Sequence, residues 1–465
     1  MNELVKKGFE ILERYWHKVA TAFIAPASIF TFWLFWFYSA ASNSIPAYGF
    51  IVAGSTSGII LIVWLLTNRL PRVTKGNTGI VIGILCDDPE EDKQVKTDFI
   101  ANLRLLINEG GSKFQLLELP KWTLGQLENS AAMTKLLRKV RGHFLLSGRV
   151  KLRNKDGKPV HLLAFGGVVL HRPVPDEVSK ELSIDFTKVL PTRVVIEKEN
   201  DAFQFEATSE WADVSARYII GTAALISGDV GYAEELYLYV QNKLKQNKNS
   251  NIGVREIAKL LPRRFAQLYS AWQRHLYAAY FSTRNVQFIV KSDDICSKLL
   301  LYEPTNPHAL LVKAICEFLL RKDIPAAHKL ITRCRNEADS TWWYSRAFLH
   351  AYQGKMEEAT SDYQHAFSGP IRDKSVPVQC EEFINLILKE EPDRIQLHYC
   401  LGLINFHAKQ DFLAAEKDFG QFLAKLKTSQ FHRQALSAQQ LLKDCKTKQL
   451  ENIEALKNDP AETVK

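Results

Sequence analysis

Fifty consecutive residues, 19–68, contain no Asp, Glu, Lys or Arg, in a 465-residue chain of which 24% is charged. Within that run, Val19 to Ala41 is one apolar stretch of 23 residues and Tyr48 to Thr67 a second of 20. A helix rises about 1.5 Å per residue, so each stretch can cross a hydrocarbon layer about 30 Å thick. Ser42-Asn43-Ser44-Ile45-Pro46-Ala47 between them is a turn-forming set. The stretch reads as a transmembrane hairpin, 19–68.

The flanks set the orientation. Lys6, Lys7, Arg14 and Lys18 precede the first span, Arg69, Arg72 and Lys75 follow the second, and the connecting loop is uncharged. The positive-inside rule then places both termini of this two-span protein in the cytoplasm. The rival is a cleaved signal peptide with its site at Ser39-Ala40-Ala41. Residues 1–18 read as an amphipathic helix, either lying on the cytoplasmic leaflet or extending the first span, with Val5, Phe9, Leu12 and Trp16 at helical spacing. Gly54 and Gly58, four apart, suit a close contact between membrane helices, within the hairpin or in a homo-oligomer.

Residues 75–206 carry mixed strand and helix signals. Gly79 to Leu85 is a continuously apolar strand ended by Asp87-Asp88-Pro89. A helix follows with Val95, Phe99, Leu103 and Ile107 on one face, then strands at 114–119 and 143–147. This order predicts a small α/β sandwich domain with a parallel or mixed sheet. Asn154-Lys-Asp-Gly157 is expected to turn a hairpin joining 149–153 to 160–165, and a second hairpin is expected between Val194–Ile196 and Phe203–Phe205. Asp87 and Asp88 sit just past a strand's C-terminal end, where they could hold a ligand or Mg²⁺, or merely cap the next helix. No nucleotide, metalloprotease or hydrolase motif is present, so no enzyme activity and no cofactor are expected. The seven cysteines include no CxxC pair, and no metal site is expected. Gly83-Ile84-Leu85, the acidic turn and Gly148-Arg149-Val150 resemble small α/β domains similar to the TolB N-terminal domain. That resemblance implies a binding or assembly role.

Residues 207–445 read as helical with internal self-similarity, followed by a polar tail at 446–465. Trp343, Ala347, Gly354, Met356, Ala359, Tyr363 and Ala366 form one copy. Gly221, Gly228, Val230, Ala233 and Tyr237 repeat its offsets. Looser copies run through Ile324, Ala327, Ile331 and Cys334, and through Gly402, Phe412, Ala415 and Phe419, the last departing by one residue at its turn. A degenerate copy is expected across 265–303. These offsets resemble the tetratricopeptide repeat (TPR). The resemblance implies a helical superhelix whose concave groove binds a peptide or helix of a protein partner. In the best copy Tyr344, Phe348 and Tyr352 form an aromatic stripe, expected either to line that groove or to pack in the core.

The fold expected is therefore α plus α/β: two transmembrane helices, a small α/β sandwich domain and a TPR-like superhelix. The function expected is a membrane-anchored cytoplasmic scaffold or adaptor that recruits a protein partner, with membrane lipid as its other contact. The alternative is a membrane effector or sensor whose hairpin oligomerises and perturbs the bilayer. The net charge of +9 is scattered and no motif supports nucleic-acid binding.

Overall fold

A computed structural model of the chain describes residues 16, 20–40, 46–86, 88–109, 113–125, 127, 129–155, 158–171, 174–190, 194–197, 201–246, 252–335, 339–371, 373–427 and 431–458. The chain divides into two compact units, residues 1–261 and 262–465. Residue 207, where the repeats were expected to begin, lies inside the helix Asp201–Ser227.

Unit 1 opens with two apolar helices, α1 (Thr21–Ala40) and α2 (Ala47–Thr67), each long and apolar enough to cross a membrane. Their side chains point outward: Phe23 is 72% exposed, Phe35 73%, Ile51 68% and Leu66 65%. A core helix of a water-soluble protein would bury such residues. The two helices meet along Gly49, Ala53 and Ser57. Gly49 and Ala53 are buried, and Ser57 donates from Oγ to the Pro26 carbonyl at 3.0 Å. The expected amphipathic helix lies outside the described residues, apart from Trp16. Trp16 accepts at its carbonyl from Trp64 Nε1 (2.6 Å) and donates from its own Nε1 to Thr67 Oγ1 (2.9 Å).

Next comes a five-stranded mixed sheet in the order β2-β1-β3-β4-β5. β1 (Thr78–Cys86) pairs in parallel with β2 (Phe114–Glu118) and with β3 (Phe144–Lys155). β3 and β4 (Lys158–Val169) form the long antiparallel hairpin, and β5 (Val194–Glu197) adds to β4. The strand at 143–147 and the hairpin arm at 149–153, read separately in the sequence, are one continuous β3. Between strands lie α3 (Pro89–Gln94), a π-helical turn (Val95–Ile100), α4 (Ala101–Glu109), the short α5 (Lys121–Leu124), α6 (Ser130–Lys139) and α7 (Asp176–Val189).

The hairpin expected between Val194–Ile196 and Phe203–Phe205 does not form, because 203–205 belong to α8 (Asp201–Ser227). Farther along this helix, Trp211, Val214 and Tyr218 recur at helical spacing, and all are buried. α8 and α9 (Val230–Gln246) form a helical hairpin built onto the α/β domain. Ser209 donates to the Phe99 carbonyl (3.0 Å), Trp211 to the Val189 carbonyl (2.9 Å), and Tyr232 to Thr78 Oγ1 (2.8 Å).

α10 (Ile252–Thr283) crosses the division between units at Leu261/Pro262. Unit 2 continues with α11 (Val286–Tyr302), α12 (Pro307–Cys316), α13 (Ile324–Arg333), α14 (Thr341–Tyr352), α15 (Met356–Ser368), α16 (Val376–Glu390), α17 (Gln396–Leu403), α18 (Phe412–Lys425) and α19 (His432–Asn458). Its core centres on Phe318, Phe348, Tyr363, Ile384, Ile404 and Phe419.

One device recurs in five helical hairpins. Two residues before the second helix stands a residue with left-handed backbone: Gly228 (φ 85), Arg284 (58), Lys322 (52), Gly354 (79) and Gln410 (55). Three residues into the second helix is a buried residue, Ala233, Ile289, Ala327, Ala359 or Ala415, none more than 1% exposed. In two hairpins the amide after the turn bonds five residues back, Asp229 to Ala224 and Lys355 to His350 at 2.9 Å. In two others it reaches six back, Asp323 to Glu317 (3.2 Å) and Asp411 to Asn405 (2.8 Å). Those two first helices end in π-helical turns, Glu317–Arg321 and Ile404–Lys409. A π turn absorbs one extra residue without breaking the helix. This accounts for the one-residue departure in the Gly402–Phe419 copy. The body is thus largely helical and repetitive, beside a small mixed sheet.

Candidate interaction site

The sequence-predicted aromatics come together, but inside. Tyr344 is 1% exposed, Phe348 4% and Tyr352 6%. The Phe348 ring meets Phe318 at 5.2 Å and Phe383 at 5.1 Å, so helices on either side cover the stripe. Burial pushes the Tyr344 phenol upward, away from ionisation. The stripe is therefore core packing, and as a groove-lining surface it is corrected: its faces are filled by the chain itself. Only the Tyr352 hydroxyl reaches a surface network, donating to Glu391 at 2.9 Å. Arg394 and Lys322 bind the same carboxylate.

Gly54 and Gly58 lie on a different face of α2 from Gly49, Ala53 and Ser57, and a methyl group added at either would meet nothing within 4 Å. With that much room beside them, neither is a point of closest approach between α1 and α2. Asp87 lies outside the described residues. Asp88 is exposed and accepts from the Glu90 amide at 2.9 Å, the geometry of a helix cap. Among the described residues no group of three or more His, Cys, Asp or Glu is arranged to hold a metal ion.

The surface of unit 2 most suited to a contact is one that the sequence did not single out. It rises from α13, α14 and α15 around Asp362, whose side chain is 5% exposed. Arg346 grips that carboxylate through Nε (2.8 Å) and Nη2 (2.6 Å), and His350 Nδ1 lies 2.9 Å from Oδ2. Burial opposes ionisation of Asp362, but the bonds from His350 and Arg346 outweigh it and hold its pKa below the ordinary value. The Arg346 guanidinium sits 4.0 Å from the ring centre of half-buried Trp343. Exposed His365 stacks on the same indole at 4.5 Å and 14°. His328 joins from α13, 4.6 Å from the His350 ring, and burial followed by the His350 charge brings its pKa down to about 4.

The result is a platform of flat rings and one cation, fixed by a saturated carboxylate beneath. Trp and Arg are residue types that dominate interface energetics. Some of the signal was legible: Trp343, Arg346 and His350 lie at i, i+3 and i+7 on one helix. Their partnership with Asp362 and His328 needs the turns between three helices, which no local spacing reveals.

No protein-family model and no curated protein sequence matches the chain.

Proposed function

We propose that this protein is a membrane-anchored adaptor. α1 and α2 span the membrane with both termini in the cytoplasm, and TPR-like hairpins present the Trp343 platform to a protein partner. The observation that carries this reading is the pairing of Trp343, Arg346 and His365 on one partly exposed surface, held by Asp362. A preorganised aromatic and cationic surface gives affinity at low ordering cost. The small residues Ala347, Ala359 and Ala366, with Tyr363 between them, support the repeat assignment, since all four are 0% exposed where paired helices approach. The charge-free run and the outward apolar side chains of α1 and α2 support the anchor.

The test is affinity capture with the full chain in detergent, comparing wild type with Trp343→Ala and Arg346→Ala. A partner recovered by wild type and lost by both variants is expected. Equal recovery by all three would remove the platform from the function. Protease applied outside sealed cells should leave the C-terminal half intact, and its digestion would reverse the topology.

A second reading has its own observation. The open Gly54/Gly58 face of α2 suits a homo-oligomer of hairpins, and so an effector that perturbs the bilayer. It predicts toxicity on overexpression that Gly54→Leu abolishes, and harmless overexpression of the wild type counts against it.

A further inference from the structure

The segment that leaves the second span does not hang free. Val73, six residues beyond Thr67, is 3% exposed. Its amide donates to the Val140 carbonyl at 2.9 Å, and its side chain packs with Leu137, Val140 and Leu145. Six residues reach at most about 20 Å even when fully extended. The C-terminal end of α6 is therefore tethered close to the end of α2.

That end of α6 is strongly basic. Leu137 and Val140 are buried against β1 and β3, while Lys135, Arg138 and Lys139, at i, i+3 and i+4, are exposed on the opposite side. Arg141 follows in left-handed backbone (φ 57), also exposed, where the Gly142 amide closes the helix on the Leu137 carbonyl at 2.9 Å. The tether adds Arg69, Arg72 and Lys75, all exposed. Residues 69–76 and 129–143 contain no Asp or Glu. Among the described residues, none of these seven basic side chains has an ion pair or hydrogen bond, whereas Lys96 and Lys121 of the same domain are both engaged by Asp92. Ser130 lines the same shallow depression as Lys135, Arg138 and Lys139, a hydroxyl and three cations that fit phosphate oxygens, while the Thr134 hydroxyl beside them donates to the Ser130 carbonyl at 2.7 Å.

We infer that this face of α6, together with the 69–75 tether, is a docking surface for anionic lipid headgroups of the leaflet that α2 leaves. The inference rests on α1 and α2 spanning a membrane. Charge complementarity selects the partner. Unpaired cations attract an anionic leaflet mainly within a Debye length of it, about 10 Å, and a tether spanning at most about 20 Å lets them come that close. A nucleic acid is the less suited occupant, because neither segment contains Phe, Tyr or Trp for a base to stack on, and the imidazole of His143 is held at Nδ1 by the Gly79 amide (3.0 Å). The surface would fix the α/β domain against the bilayer rather than leave it swinging on a linker.

The experiment uses the full chain in nanodiscs of phosphatidylcholine alone or mixed with phosphatidylglycerol. Acetylation of Lys135 and Lys139 by an amine-specific reagent is read by mass spectrometry, with exposed Lys329 of unit 2 as internal reference. Reactivity at Lys135 and Lys139 should fall several-fold in anionic discs and recover in high salt. The double variant Arg138→Gln/Arg141→Gln should shrink that protection. Equal reactivity in both kinds of disc overturns the docking surface while leaving the anchor intact. Stronger protection by an added DNA oligonucleotide than by anionic lipid also overturns it. A chain that never enters discs overturns the anchor reading and this inference together.

Discussion

Arg217 and Asp213, one helical turn apart on α8, form an ion pair of 2.8 Å whose side chains are 1% and 2% exposed. The guanidinium also donates to the Leu106 and Ile107 carbonyls near the end of α4, each at 3.3 Å, and lies over the rings of Phe114 (4.5 Å) and Tyr239 (3.9 Å). One residue thus ties α8 to α4, β2 and α9. Asp213→Ala leaves a buried cation without its counter-charge and should cost about 3–5 kcal/mol. The double variant Asp213→Leu/Arg217→Met should lose less than that single. Thermal denaturation of the full chain in detergent checks both, and a double variant weaker than the single would refute the argument.

Helix pairing depends on Gly402, where an added methyl would stand 2.5 Å from the Phe419 ring, itself 0% exposed. Gly402→Ala should cost about 1–3 kcal/mol by overpacking. Gly420, two turns into α18 with nothing within 4 Å, makes the contrast. Gly420→Ala should stabilise by up to about 1 kcal/mol, because it relieves only the helix cost of glycine. Denaturation midpoints moving in opposite directions are the expected result.

The α1–α2 hairpin was legible because absence of charge over fifty residues has few other causes. So was the Ala347–Ala366 hairpin, where a glycine marks the turn and small residues mark the contact. The other copies were harder to read for physical reasons. Lys322 and Gln410 occupy left-handed backbone usually signalled by glycine, and the extra residue before each is absorbed in a π turn that shifts the spacing. The Tyr344 stripe shows a different limit: periodicity identifies a face but not what covers it, and here Phe318 and Phe383 arrive from α12's π turn and α16. The basic face of α6 needed the Val73–Val140 contact to acquire meaning. Its charges were visible singly, but their nearness to α2 was not.

Left-handed backbone costs a side chain about 1–2 kcal/mol that glycine avoids. Gln410→Gly should therefore raise stability, by about 0.5–1 kcal/mol once the greater freedom of glycine in the unfolded chain is set against it. Gly354→Ala, at φ 79, should lower it by about 1 kcal/mol. Lys322 is a poorer probe, because its ammonium also pairs with Glu391 at 3.3 Å. Urea midpoints of the two variants should shift in opposite senses, and parallel shifts would discard the strain argument.

Acid sensitivity should arise from His328 and His398. Burial brings both down to about 4, helped by the His350 charge at the first and the Lys425 charge at the second. An unfolded imidazole titrates near 6.5, so between about 4 and 6.5 the unfolded chain binds more protons than the folded one. Stability contributed by these groups is present at neutral pH and is lost as pH falls through that window. Asp418 works the other way. Burial pushes its pKa up to about 6, against a hydrogen bond from Asn405 and with the Glu381 charge adding to the rise. Its folded form binds the extra proton, so acidification from about 6 to 4 favours folding at that site. Urea midpoints between neutral pH and about pH 4.5 should fall for the wild type, since two imidazoles oppose one carboxyl. The fall should be shallower in His328→Gln/His398→Gln and steeper in Asp418→Asn. Identical pH slopes in all three proteins would show that these buried groups do not govern the response.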